Sequence, residues 1–208
     1  MSKLVENSFR DVNIAFANEL SLICDKLGIN VWKLIELANH HPRVNILQPG
    51  PGVGGHCIAV DPWFIVDSAP NEAKLIRAAR LVNDNKPNFV LGKIDKAVKA
   101  IGKNKSDLKI ACLGLSFKPD IDDLRKSPAL SIAGKIGLMG FSELFLVEPN
   151  IASIPDKLKG ESISITSADK AIKAADIVVL LVDHTPFKKM DLEVLSGKQI
   201  VDTRGIWS

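Results

Sequence analysis

Cys57 is the side chain in this sequence best suited to covalent chemistry, and its surroundings say of what kind. It follows residues 48–55, whose four glycines (Gly50, Gly52, Gly54, Gly55) and two prolines (Pro49, Pro51) exclude a helix or a central strand. Such a loop is committed to turns that leave backbone N–H groups for an oxygen-rich ligand. Four residues beyond Cys57, Asp61 precedes Pro62 and the apolar Trp63-Phe64-Ile65-Val66, which reads as a helix start with Asp61 as cap and a proline in the first turn. Cys57 then lies just ahead of a helix N-terminus, a setting that favours a thiolate. Lys3 and Asn7 are four residues apart and share one helix face, offering a cation and an amide to the same ligand. Taken alone, such a pair is most often solvated surface.

A second set of candidates lies in the C-terminal half. Phe117-Lys118-Pro119-Asp120-Ile121-Asp122-Asp123-Leu124-Arg125 follows one apolar run, and Asp202-Thr203-Arg204-Gly205 follows another. Basic groups converging from two loops at one sheet edge suit a diphosphate, Arg as a planar fork and Lys as a point charge. The alternative is a charged rim in which these cations pair with Asp120, Asp122 and Asp123.

These residues need elements to position them. Val5, Phe9, Val12, Phe16, Leu20, Ile23 and Leu27 recur at helical spacing and predict one long amphipathic helix over 3–27, stopped by Gly28. Asn30 caps a second helix from Val31 to about His40, which Pro42 terminates. Beyond Pro70, Asn71 opens a helical run, interrupted by Pro87, that continues to Gly102. The polar stretch 102–107 marks a boundary, giving domains 1–102 and 103–208. After it the chain takes on a βα rhythm, with strands at 109–113, 143–147, 163–165, 176–182 and 199–202 and helices from Ser127-Pro128 to Ile136 and over 168–175. The fourth strand is apolar on both faces, as a central parallel strand should be. The fold class is therefore α/β: a helical region followed by a small doubly wound parallel sheet, which binds ligands beyond the carboxyl ends of its strands.

Composition bounds the function. With 208 residues, 46% of them apolar, and a net charge of +3 with both signs interspersed, the chain can build a real core and shows no nucleic-acid or membrane surface. No apolar run approaches the ~20 residues needed to span a bilayer, and the N-terminus is not a signal peptide, so a soluble cytoplasmic protein is expected. Three cysteines without short spacing, Cys24, Cys57 and Cys112, argue against a disulfide framework or a zinc site, and no metal is expected. Cys24 and Cys112 fall in apolar patterns and read as small core residues.

Gly-Gly-x-Cys with an Asp four residues on, Phe-Lys-x-x-x-x-Asp-x-Arg after the first strand, Arg204 after the last, and Lys3 with Asn7 in the long helix together resemble the UDP-glucose/GDP-mannose dehydrogenase family. The form Gly54-Gly55-His56-Cys57-Ile58-Ala59-Val60-Asp61-Pro62 is most similar to its UDP-N-acetylmannosamine branch, with His56 as the local hint. The resemblance covers 3–207 and implies a central helical dimerisation domain and a UDP-binding domain. It implies NAD-dependent oxidation of a nucleotide sugar's C6 hydroxyl to a carboxylate, through a thiohemiacetal and a thioester on Cys57. It assigns Lys3 and Asn7 to the oxyanion, and Asp61 to water or to tuning Lys3. Lys118, Arg125, Arg204 and the partner's Arg43 would hold the UDP, with Ile46, Leu47, Gly54 and Gly55 lying against it; read alone, Arg43 is a solvated loop charge.

A strand, a Gly-x-Gly-x-x-Gly turn and a helix, as nicotinamide binding requires, are not found together. Gly50-x-Gly52-x-Gly54 follows no strand, and Gly114-Leu115-Ser116 lacks the second glycine. The expectation is that the family's NAD domain is absent, that the chain lacks turnover by itself, and that it forms a homodimer through its first helix. Alternatives are a noncatalytic UDP-sugar-binding or regulatory module paired with a full-length dehydrogenase, a UDP-glucose 6-dehydrogenase fragment, or a hydroxyacid dehydrogenase fragment whose strand-rich half binds NAD.

Overall fold

The computed structural model describes residues 1–151, 155, 158 and 160–207, and the chain separates into two compact units, Met1–Lys86 and Pro87–Ser208. The division falls inside a helix at Pro87, ahead of the polar stretch 102–107.

The first unit is helical. Helix α1 (Ser2–Leu27) stops at Gly28, whose φ of 70° lets its N–H turn back to the Cys24 carbonyl. Helix α2 (Val31–Ala38) starts at Asn30, whose side chain accepts the Lys33 N–H. Helix α3 is Asp61–Ser68, and α4 (Lys74–Ile101) runs through Pro87. The stripe that gives α1 its periodicity is exposed at Val5, Phe9, Phe16, Ile23 and Leu27, with Phe9 at 69%. The face turned inward carries Ser8, Asp11, Ala15, Ala17, Asn18, Ser21 and Cys24 instead. Its small side chains let neighbouring segments approach closely, and its polar ones need buried partners. The apolar cluster beneath is Ala17, Cys24, Val31 and Ile35, with Leu20, Trp32 and Ile46 against it.

The second unit is a five-stranded parallel sheet in the order β3-β2-β1-β4-β5. The strands are β1 (Lys109–Leu113), β2 (Glu143–Val147), β3 (Ile163–Ile165), β4 (Ile177–Leu180) and β5 (Gln199–Asp202). The alternation of side chains along β1 sends Ile110 and Cys112 to one face, where Ile132, Ala133 and Ile136 of α5 (Pro128–Gly137) pack beside Val90, Ile94 and Ala97 of α4. Ala111 and Leu113 face the other way, onto Ala171 and Ile172 of α6 (Ala168–Ala174) and Phe187 of the short α7 (Thr185–Lys188). Helices on both faces make the sheet doubly wound. Ser127 caps α5 by accepting the Leu130 N–H. Cys24 and Cys112 are buried in their cores, and burial pushes the Cys112 thiol up.

Candidate active site

In the first unit Asp61 gathers the candidate residues. It is buried, and its Oδ2 accepts the Asn7 amide N–H at 2.7 Å and faces the Lys3 ammonium at 3.5 Å. Its backbone N–H and that of Val60 both donate to the Cys57 carbonyl, at 2.8 and 3.0 Å, so Cys57 stands one turn before α3 with its thiol half-exposed and unbridged. Asp61 does not cap α3 as its position ahead of Pro62 suggests. It is the first helical residue, Val60 holds the cap position with no side-chain bond, and the carboxylate is turned to α1. A side chain drawn onto Lys3 and Asn7 cannot also reach back to N–H groups of its own helix.

The glycine loop is anchored at one point. Asn18, fully buried on α1, accepts the Gly50 N–H at 2.9 Å. Asn18 in turn donates to Asn83 Oδ1 (2.9 Å), whose amide donates to the Asp11 carboxylate and carbonyl (2.8 and 3.1 Å). Arg80 closes the chain, with Nη1 on Asp11 at 2.5 Å and Nη2 on Asp84. Gly52 (φ 146°) and Gly55 (φ 84°) take backbone conformations that suit only glycine, and among the described residues the N–H groups of 52–55 enter no hydrogen bond. Ahead of the loop, Asn39 clamps Ile46 by both its N–H and its carbonyl (2.7 and 3.0 Å). Leu47 and Arg43 are exposed, Gly54 is half-buried and Gly55 buried.

In the second unit Lys118, Arg125 and Arg204 all lie beyond the carboxyl ends of strands, on the loops after β1 and β5. Arg125 forms a fork on Asp123, with Nε at 3.0 Å and Nη2 at 2.6 Å. Arg204 Nε bonds Asp183 at 2.8 Å, and Lys188 reaches the other oxygen of the same carboxylate at 2.8 Å. Burial alone would raise Asp183, but Arg204 and Lys188 outweigh it and hold the carboxyl below its usual range. Both arginines are thus paired with carboxylates, and Lys118 is exposed.

The loop after β1 also bears on dinucleotide binding. There the N–H groups of Leu115 and Ser116, which a fold of this class offers to a phosphate, both donate to Glu148 Oε2 at the end of β2 (2.7 and 3.1 Å). A carboxylate already fills that cradle, and the residues of this loop do not fit the pyrophosphate of NAD. Among the described residues no group of three or more His, Cys, Asp or Glu could hold a metal ion, and no helix is long and apolar enough to cross a membrane.

Residues 1–85 match the central domain of the UDP-glucose/GDP-mannose dehydrogenase family, and residues 111–208 match its UDP-binding domain. The chain belongs to that family. A UDP-N-acetyl-D-mannosamine dehydrogenase from Salmonella typhi is 58% identical over 211 residues, covering 100% of this chain and 50% of the relative. An NDP-N-acetyl-D-galactosaminuronic acid dehydrogenase from Ralstonia solanacearum is 57% identical, covering 100% of this chain and 48% of the relative. Among solved structures, a UDP-D-ManNAc dehydrogenase from Pyrococcus horikoshii superimposes with a TM-score of 0.85 at 38% identity, over 99% of this chain and 48% of the other. The chain thus spans about half the length of the curated relatives it matches. Membership of the UDP-glucose/GDP-mannose dehydrogenase family accounts for the pairing of a helical unit carrying a cysteine loop with a doubly wound sheet. Sequence reasoning missed Asn18, Asn83, Arg80, Glu148 and His184, each of which has a partner 32 to 72 residues away along the chain and so no local signature of that contact.

Proposed function

We propose that this chain is the substrate-binding half of a UDP-N-acetylhexosamine 6-dehydrogenase, with UDP-N-acetyl-D-mannosamine as substrate. Cys57 is the nucleophile: its thiolate adds to the aldehyde-level C6, and the thioester that would form once this adduct gave up a hydride to the NAD of the complete enzyme is cleaved by water to the carboxylate. Lys3 and Asn7 stabilise the oxyanion, and one such donor is worth ~3 kcal/mol in a reaction of this type. Asp61 holds both donors in place and orients the water. In the second unit Lys118, Arg125 and Arg204 bind the diphosphate; in the first, Ile46, Leu47, Gly54 and Gly55 contact the nucleotide sugar, and the partner's Arg43 reaches it across a dimer. The observation that carries this reading is the Asp61 carboxylate, which joins Lys3 and Asn7 one turn beyond the cysteine. The dimer is supported by the exposed stripe on α1 and by an apolar groove of about 250 Å³ lined by Val5, Phe9, Val12, Ile65, Leu75 and Ile76. NAD serves the complete enzyme, and no residue described here is assigned to it.

Two measurements test this. Incubation with the 6-aldehyde of UDP-N-acetylmannosamine should add the mass of the whole nucleotide-sugar aldehyde to the intact chain in native mass spectrometry, over and above the noncovalent binding seen in Cys57→Ser; an equal adduct in Cys57→Ser refutes the nucleophile. The chain with NAD and UDP-N-acetylmannosamine should reduce no NAD, and steady turnover would overturn the statement about NAD. A galactosamine-type nucleotide sugar is the second reading, favoured by the near-equal identity to the Ralstonia relative. Preference for it in the adduct assay would decide between them.

A further inference from the structure

Three consecutive residues after β4, Asp183-His184-Thr185, touch both loops that carry the proposed nucleotide cations. His184 is fully buried, with Nε2 at 3.2 Å from Glu148 Oε2 and at 3.4 Å from Ser116 Oγ. Its Nδ1 accepts the Asp120 N–H at 2.9 Å and lies 3.2 Å from the Asn150 amide, so the ring proton sits on Nε2. Phe187 packs edge-on against the ring at 5.6 Å and fixes its plane. Thr185 donates its N–H and its hydroxyl to the two oxygens of Asp120, at 2.8 and 2.7 Å. Asp120 has φ 58°, a left-handed conformation that a non-glycine residue keeps only when its surroundings enforce it. Ser116 Oγ closes the same turn by donating to the Lys118 carbonyl at 2.7 Å. The backbone of Lys118 is therefore held from both sides by bonds that end on His184 and Thr185. The neighbouring Asp183 holds Arg204 and Lys188.

We propose that Asp183-His184-Thr185 is a positioning segment that fixes the Lys118 loop relative to Arg204 for a nucleoside diphosphate, and that Lys188 is a further cation of that site. The proposal rests on the nucleotide reading of Lys118 and Arg204. None of the three residues is a catalytic residue; they act through the loops they hold.

The test is UDP titration of the 208-residue chain followed by backbone NMR, which detects millimolar affinities, together with amide exchange at Asp120 and thermal melting. Lys118→Ala should weaken UDP by about tenfold or more. Thr185→Val, at an exposed site, should weaken it by roughly threefold or more with little change in melting temperature. His184→Asn places an acceptor where Nδ1 was and keeps the Asp120 anchor; His184→Gln keeps the donor to Glu148 and loses the anchor. A structural role makes affinity follow stability, with Gln the better replacement. A positioning role makes affinity and Asp120 protection follow the anchor, with Asn the better. If UDP shifts no amide near Lys118 and Arg204, or Lys118→Ala binds like the parent, the nucleotide reading falls and this proposal with it. If Lys118→Ala weakens binding but Thr185→Val does not, and Gln outperforms Asn, the positioning role alone is overturned.

Discussion

Replacing Arg80 by Met should cost the first unit more than any other single charge removal. Arg80 is 1% exposed and Asp11 is fully buried; their contact is 2.5 Å, and Met retains much of the arginine stem's packing while deleting the guanidinium. Removing one partner of a buried pair costs about 3–5 kcal/mol because the other charge stays behind uncompensated. With a urea slope of roughly 2 kcal/mol per molar, the unfolding midpoint should fall by about 1.5–2.5 M. Trp32 and Trp63 report on this unit, so the titration is read by fluorescence in a Trp207→Phe background. The deficit should depend on pH with a definite sign. Burial raises Asp11 above its ordinary 3.8 and Arg80 opposes that rise, so without Arg80 the carboxyl goes higher still. A native state that holds a proton more tightly than the unfolded chain loses stability as pH rises from 3.8 through the folded value. The Arg80→Met deficit should therefore be fullest near pH 8 and shrink on acidification. A loss under about 1 kcal/mol at pH 8, or a deficit that grows towards acid, would refute the account of this pair.

Other outcomes follow from single contacts. A Cβ on Gly114, at φ 88°, would lie 2.4 Å from the Val182 Cβ, so Gly114→Ala should destabilise the second unit by about 2–5 kcal/mol in a thermal or urea melt. At Glu148 burial pushes the carboxyl up, but donors from His184, Leu115 and Asn150 outweigh it and the net shift is down. Its stabilising effect is therefore complete above 4.5 and is lost as pH falls below that, so Glu148→Gln should cost about 1.5–3 kcal/mol at pH 7 and progressively less below pH 4.5. Brief iodoacetamide treatment of the native protein should label Cys57 and spare Cys24 and Cys112, both buried; mass spectrometry of the peptides reads this directly.

The parallel sheet was legible in the sequence because each strand is a short apolar run bounded by turn residues, and four of the five expected ranges coincide with the observed strands. The fourth extends to Val182 in the apolar pattern but ends at Leu180, because β1 stops at Leu113 and the N–H groups of Leu181 and Val182 both turn onto that one carbonyl. Helix α1 was legible as a helix, yet its inward face was not. Periodicity marks the apolar stripe, whereas Asp11, Asn18 and Ser21 are buried because the partners of Asp11 and Asn18 arrive from α4. Arg80 looks like any helical surface charge until the fold sets Asp11 beside it. Of the rim carboxylates weighed against a diphosphate site, Asp123 does hold Arg125, but Asp120 is spent on Thr185 and Asp183 takes Arg204. Local spacing reports which charges are near in sequence, not which loops converge.

The Glu148 carboxylate stands where an incoming phosphate would meet the N–H groups after β1. Those two donors are therefore already satisfied within the sheet, and a phosphate would have to displace Glu148 to reach them. The carboxylate thus does for this turn what a bound anion does in other sheets of the class, and it arrives with the fold.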